Sequence, residues 1–245
     1  MKAMIFAAGI GSRLKPLTDE RPKALVEIEG RPLLYYAIKK LKSAGINSIV
    51  INVHHFSSKI VEYLNENDFF GIEIIISDET NLLLDTGGGL FNASGFFNDN
   101  ESFIVYNVDV ISNIDLKSLV DAHNSKKALV TLAVMDRKTS RYLLFDESMT
   151  LCGWRNIQKN LEIVTRKDEH TKQYAFSGIQ VVDPRIFKEY KSKTDVFPIL
   201  DVYLELSKNN KLYGFDHSNT LWFDLGKYSE FDNAINVLKQ IENLK

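Results

Sequence analysis

Through the first 135 residues, short apolar runs alternate with segments whose apolar positions recur every three to four residues. Residues 2–8, 48–55, 72–77, 102–109 and 128–136 read as strands. Between them, residues 32–45 predict an amphipathic helix with Leu34, Ile38 and Leu41 on one face and Gly45 as its C-cap. Residues 57–67 predict a second helix with Ser57 as N-cap, residues 87–97 a short helix starting on glycines, and residues 115–126 a third long helix. The strands are near-continuous Val, Ile and Phe runs, the pattern of a parallel sheet covered on both faces. Strand–helix alternation at this spacing implies right-handed crossovers and an open α/β sheet, doubly wound and mostly parallel, of Rossmann-like type.

The pattern changes after residue 136. Residues 141–147, 151–156, 161–166 and 174–183 read as short strands without long helices between them, which predicts an antiparallel extension. A helix over residues 196–210 follows, then strands at 211–216 and 221–226, and a last helix from Tyr228 to Leu244. No linker, repeat or low-complexity tract interrupts the chain. The expectation is one domain over residues 1–245, with an α/β half (1–135) and a ligand lobe formed by the second half (136–245).

Composition narrows the picture. With 44% hydrophobic and 25% charged residues, the chain reads as an ordinary globular protein. A net charge of −2 gives no reason to expect a nucleic-acid or membrane partner, so any basic site must be local. No run of apolar residues is long enough to span a bilayer. The single cysteine rules out an intrachain disulfide and a cysteine zinc site, and makes the cytoplasm the default compartment.

Ligands of such sheets sit beyond the C-terminal ends of the strands, and three chemically loaded segments fall there: residues 7–14, 107–110 and 224–226. In the first, an apolar strand opens into a loop with Gly9 and Gly11, followed by Arg13 and Lys23. Exposed backbone N–H groups flanked by two cations suit a polyphosphate. Pro16 and Pro22 stiffen the segment. A dinucleotide fingerprint fails, because Leu14 replaces the third glycine and prolines interrupt any following helix. A Walker A loop is absent.

What the segment does match is G-x-G-x-R-x-x-P-x-T followed after three residues by P-K, at Gly9, Gly11, Arg13, Pro16, Thr18, Pro22 and Lys23. In this it resembles the sugar-1-phosphate nucleotidyltransferases, over nearly its whole length. The resemblance implies a Mg²⁺-dependent attack of a sugar 1-phosphate oxygen on the α-phosphorus of an NTP, yielding an NDP-sugar and pyrophosphate. On that reading NTP and sugar 1-phosphate are the partners. Arg13 presents its planar fork to the β- and γ-phosphates, Lys23 serves the α-phosphate and the incoming phosphate, and the backbone of Ala8, Gly9, Gly11 and Ser12 cradles the chain of phosphates. Mg²⁺ prefers oxygen ligands with one or two carboxylates. Asp109, ending an apolar run, and Asp224 match the family's early and late metal positions. Val108 departs from the family, which usually has Gly there, and Asn107 is a candidate contact to ribose or base.

The resemblance further assigns the base to the glycine-rich segment around Thr86 and Gly87, where consecutive glycines opening a helix present N–H donors; a plain loop-to-helix turn is the other reading. It assigns the sugar to Ser177 and Gly178, a glycine inside a strand pattern that implies close approach of a ligand or another backbone. His54 and His55 read as non-metal residues, and Trp154 and Trp222 as packing residues. Residues 86–89, 176–179 and 222–226 look most similar to N-acetylmuramic acid 1-phosphate uridylyltransferases, with mannose-1-phosphate guanylyltransferases next. A catalytically silent nucleotide-sugar-binding regulator is the alternative from another class.

Overall fold

The computed structural model describes residues 1–243. In chain order the elements are β1 (Ala3–Phe6), β2 (Glu27–Ile28), β3 (Arg31–Pro32), α1 (Leu33–Ser43), β4 (Ser48–Val53), α2 (Ser57–Glu66), β5 (Glu73–Asp78) and α3 (Asp85–Asn92). Next come β6 (Phe103–Asn107), β7 (Val110–Ser112), α4 (Leu116–Lys126), β8 (Val130–Met135), β9 (Arg141–Phe145) and β10 (Leu151–Asn156). The chain continues through β11 (Leu161–Val164), β12 (Lys172–Val182), α5 (Ile186–Glu189), α6 (Ile199–Ser207), β13 (Tyr213–Asp216), β14 (Trp222–Asp224) and α7 (Phe231–Asn243). The expected end of the last helix at Leu244 lies outside the described residues. The sheet is mixed and mostly parallel in the α/β part, as the strand–helix alternation predicts.

Two compact units emerge, each built from stretches that alternate along the chain. The first holds Met1–Leu84, Val105–Ile114 and residues 220–243. Its strands β1, β4 and β5 run parallel, with Ala3 opposite Ile49 and Ile49 opposite Ile74. All six residues of β4 are buried, as a continuous apolar run on a central strand requires. β5 is covered on fewer positions, and Ile75 stays 42% exposed, so this run is not buried on both faces. Helix α1 buries Leu33, Leu34, Ala37, Ile38 and Leu41, the stripe its sequence predicts, and stops where Gly45 turns to φ +82°. Ser57 is not the N-cap of α2. Phe56, in a left-handed conformation, holds that position, and Ser57 is already helical.

The second unit holds Asp85–Ile104 and Asp115–Asn219. Here β9, β10, β11 and β12 form the expected antiparallel extension in the order β11-β10-β9-β12, with Trp154 opposite Ile163 and Tyr174 opposite Leu143. β8 departs from expectation. It reads as another parallel strand, but it pairs antiparallel with β12 and parallel only with β13. Phe91, Phe97, Phe103, Phe187 and Phe197 pack ring to ring, with Phe97 stacked on Phe103 at 3.7 Å between centroids. Phe97, Phe103 and Phe197 are buried core residues, while Phe91 and Phe187 are partly exposed at the edge of the cluster. Asp115 caps α4 by accepting from Lys117 N at 3.0 Å.

Candidate active site

The first unit assembles its site at the end of β1. Phe6 closes the strand, and its carbonyl accepts from Val108 N at 3.2 Å. Ala7 and Ala8 are still buried, while Gly9, Ser12 and Arg13 are exposed. Leu14 is fully buried and pins the far side of the loop. Gly11 is the hub: its φ is +68°, and its carbonyl accepts from Leu14 N at 2.8 Å and from Thr18 Oγ1 at 3.0 Å. A side chain there would meet Lys23 Cβ at 3.0 Å and Thr18 Cγ2 at 3.1 Å, so the positive φ and the tight surroundings both favour glycine. Gly9 is different, since a Cβ at that position would meet nothing within 4 Å. Among the described residues, the N–H groups of Gly9, Ile10 and Gly11 have no protein acceptor. Uncovered donors on a pinned loop are what an anion needs.

Lys23 opens a short helical turn behind Pro22, and its Nζ forms an ion pair with Asp109 Oδ2. The two side chains are 14% and 16% exposed. Asp109 sits in the turn joining β6 to β7, and burial alternates along this stretch. Tyr106, Val108 and Val110 are buried, whereas Asn107 and Asp109 are partly exposed. Val108, at the family's glycine position, therefore sends its side chain into the core. Burial, and secondarily the Asp109 charge, push the Tyr106 hydroxyl pKa upward, and that hydroxyl donates to Val110 O at 3.2 Å.

Asp224 arrives from the far end of the chain. β14 pairs antiparallel with β7, placing Asp224 opposite Val110, and Leu225 N donates to Asp109 O at 3.0 Å. Ser112 Oγ donates to Leu221 O at 2.8 Å, and Leu221 N to Asn113 Oδ1 at 2.8 Å, which fixes the register. The backbones carrying the two acidic residues are thus neighbours. The next glycine, Gly226, lies beside the arginine: a Cβ there would be 3.8 Å from Arg13 Nη2. Ala8, Gly9, Gly11, Ser12, Arg13, Lys23, Asn107, Asp109 and Asp224 all belong to this one unit.

The second unit holds the other expected contacts. Gly87 and Gly88 do not offer their N–H groups to a ligand. Both donate to Phe197 O, at 2.9 and 3.1 Å, and Thr86 Oγ1 accepts from Ile199 N at 3.0 Å. A Cβ at Gly87 would lie 2.5 Å from Phe197 Cδ2, so close packing explains this glycine. Ser177 is fully buried, and its Oγ pairs with His217 Nε2 at 2.7 Å, so its hydroxyl is not presented to a sugar. Gly178 has φ +73° within an irregularity of β12 between Phe176 and Gln180, which gives the glycine a backbone reason. The sequence alone gave no role to Thr18 or Gly226 around the first loop, and none to Asn52, whose Oδ1 accepts from Ala7 N at 2.8 Å. A lone asparagine in the apolar run of β4 was the available signal.

A parallel β–α unit ending in a pinned glycine loop, with a lysine and two aspartates behind it, marks an α/β protein whose candidate site lies at the C-terminal ends of its strands. Residues 2–241 match the nucleotidyl transferase family, and the chain belongs to it. It is 30% identical over 240 residues to a mannose-1-phosphate guanyltransferase from Kluyveromyces lactis, covering 94% of this chain and 63% of that protein. It is 29% identical over 237 residues to an N-acetylmuramate alpha-1-phosphate uridylyltransferase from Neisseria meningitidis, covering 96% of both. The chain spans less than two thirds of the length of several curated relatives it matches. Its fold superposes on a putative glucose-1-phosphate thymidylyltransferase from Bacillus anthracis with TM-score 0.79, at 22% identity, covering 98% of this chain and 95% of the other. Among the described residues, no helix is long and apolar enough to cross a membrane.

Proposed function

We propose that this chain is a sugar-1-phosphate nucleotidyltransferase. A sugar 1-phosphate oxygen attacks the α-phosphorus of an NTP, the bond from that phosphorus to the bridging oxygen breaks, and pyrophosphate leaves. The observation that carries the reading is the Lys23–Asp109 ion pair beside a loop with uncovered N–H donors. Charge neutralisation and positioning are most of what such a transfer asks of a protein. The loop backbone holds the triphosphate, Arg13 grips the leaving phosphates, and Lys23 stands at the reacting one. Asn107, on the same side of the strand end as Asp109, is assigned to ribose or base. Thr86 and Gly87 shape the base-side segment through backbone packing, and Ser177 and Gly178 shape the sugar-side strand in the same way.

Asp109 and Asp224 would hold the Mg²⁺. The donor set fits: both are oxygen ligands, their backbones are adjacent, and Asp109 already binds a cation, the ammonium of Lys23. When bound, the metal supplies charge neutralisation at the transferring phosphate.

For the substrate we propose N-acetylmuramic acid 1-phosphate with UTP. The support is the Neisseria uridylyltransferase, which this chain matches over 96% of both lengths. Mannose 1-phosphate with GTP is the second reading, supported by the guanyltransferase relatives. A reducing, cytoplasmic setting suits the lone, buried Cys152. Pyrophosphate release across a panel of NTPs and sugar 1-phosphates tests all of this. Release with the uridylyl pair is expected. Release with the guanylyl pair alone moves the substrate to the second reading, and tight NDP-sugar binding without release from any pair favours a silent regulator.

A further inference from the structure

Behind the opening loop lies a buried polar chain that the proposed chemistry does not use. Asn52 is 3% exposed and stands in β4 opposite Phe6, the last residue of β1. Its Oδ1 accepts from Ala7 N at 2.8 Å, the first N–H beyond the strand, and its Nδ2 donates to Glu79 Oε1 at 2.7 Å. Glu79, also 3% exposed, accepts with its other oxygen from Leu84 N at 3.1 Å. Its own main chain is fixed too: its N donates to Val53 O at 2.8 Å, and its O pairs with His54 Nδ1 at 2.7 Å. Burying a carboxylate and an amide is unfavourable unless they are hydrogen-bonded, and these bonds fix which atom of the Asn52 amide faces Ala7 and which faces Glu79.

We propose that Asn52 and Glu79 are positioning residues that set the affinity of the opening loop for a nucleoside triphosphate. The inference rests on the nucleotidyltransferase reading. Asn52 ends the β1 ladder at the residue before the loop and turns Ala7 so that the N–H groups of Gly9, Ile10 and Gly11 stay uncovered. Glu79 holds the Asn52 amide in the one orientation that leaves its oxygen facing Ala7. Neither side chain touches the nucleotide. The same carboxylate ties down Leu84, the residue preceding the α3 segment, so two stretches of backbone depend on one buried anion.

The polarity yields a sharp test. Asn52→Asp still accepts from Ala7 but faces Glu79 with a second carboxylate. Glu79→Gln turns one acceptor into a donor and leaves a donor against a donor. Combined in one N52D/E79Q protein, the two changes rebuild the chain with the carboxylate and the amide exchanged. The carboxylate, now on β4, accepts from Ala7 N and from the new amide, whose oxygen accepts from Leu84 N. Dissociation constants are measured by titration calorimetry for the best-bound of UTP, GTP, CTP, ATP and dTTP, together with KM for the sugar 1-phosphate. Each single variant is expected to weaken the nucleotide about tenfold or more, from one mispaired buried group, with the sugar KM within about twofold. The swap is expected to return the nucleotide to within about threefold of wild type. Where a single variant does not fold, the swap alone decides.

Single variants that bind nucleotide as wild type does overturn the proposal, as does a swap that stays tenfold weak or does not fold. Equal losses for both substrates overturn it as well. A wild type that binds nucleotide but releases no pyrophosphate removes the enzymatic reading and leaves the relay standing. A wild type that binds none of the five overturns both.

Discussion

Lys23 Nζ and Asp109 Oδ2 form an ion pair that joins the end of the opening loop to the end of β6, with both groups largely shielded from solvent. A single carboxylate thus faces a lysine on one side and, through its backbone, the Asp224 strand on the other. We expect Asp109→Asn to keep the fold while lowering kcat by about a thousandfold, because it removes the charge that orders both cations. Steady-state kinetics with a Mg²⁺ titration check this. Activity within a few-fold of wild type, at unchanged Mg²⁺ dependence, would show that Asp109 is not a metal ligand.

Arg13 is exposed and reaches toward Gly226. An exposed arginine that leaves the core untouched can be changed with little effect on folding, so its variants report on binding alone. Arg13→Lys keeps the charge and loses the planar fork. Its NTP KM should rise about tenfold while the midpoint of thermal unfolding stays put. Unchanged NTP kinetics in this variant mean that Arg13 does not contact the triphosphate.

Periodicity made most elements legible. The stripe of α1 and the solid run of β4 are buried as read, because the spacing of apolar positions that selects the buried face is a local property of each segment. The sense of β8 was not legible, since an apolar run does not record whether its partner runs parallel or antiparallel. Ser57 looked like a cap on composition, yet Phe56 took the position through a left-handed turn that no residue preference favours. In the site, Gly9, Gly11, Arg13 and Lys23 were readable as a local string. Asp224 was readable as a strand-end residue, but not its place beside Asp109, because the ladder from β14 to β7 joins residues more than a hundred positions apart. The same distance hid Phe197, which takes the N–H groups that Gly87 and Gly88 seemed to hold ready.

Gly87 packs directly against Phe197, with a Cβ position 2.5 Å from the ring and 2.7 Å from the carbonyl oxygen. Gly87→Ala must displace both the ring and the hydrogen-bonded backbone, at a cost of about 1–3 kcal/mol. Urea unfolding should show that loss as a lower midpoint at unchanged slope. A loss below about 0.5 kcal/mol, the range of an innocuous surface change, would mean that the α3–α6 contact adjusts freely and that the glycine serves something other than packing.

Two histidines should make stability depend on pH. His123 lies between Thr131 Oγ1 at 3.0 Å and Ser102 Oγ at 3.1 Å, and His217 lies against Ser177. Each is 1% exposed, and burial is the main cause that lowers each pKa to about 4. In the unfolded chain both titrate near about 6.5. Between these values the unfolded state binds more protons than the native one, so stability must rise with pH in that window. The contribution is fully present above about pH 6.5, falls as the pH drops toward 4, and changes no further once both states are protonated. Each histidine accounts for on the order of 3 kcal/mol across that span. Denaturant unfolding between pH 7.5 and 4, with imidazole resonances followed by NMR, checks the sign. Two of the five histidines should remain neutral at pH 5 in the folded protein, and a flat stability profile from pH 7 to 4.5 would show that neither is desolvated as the packing implies.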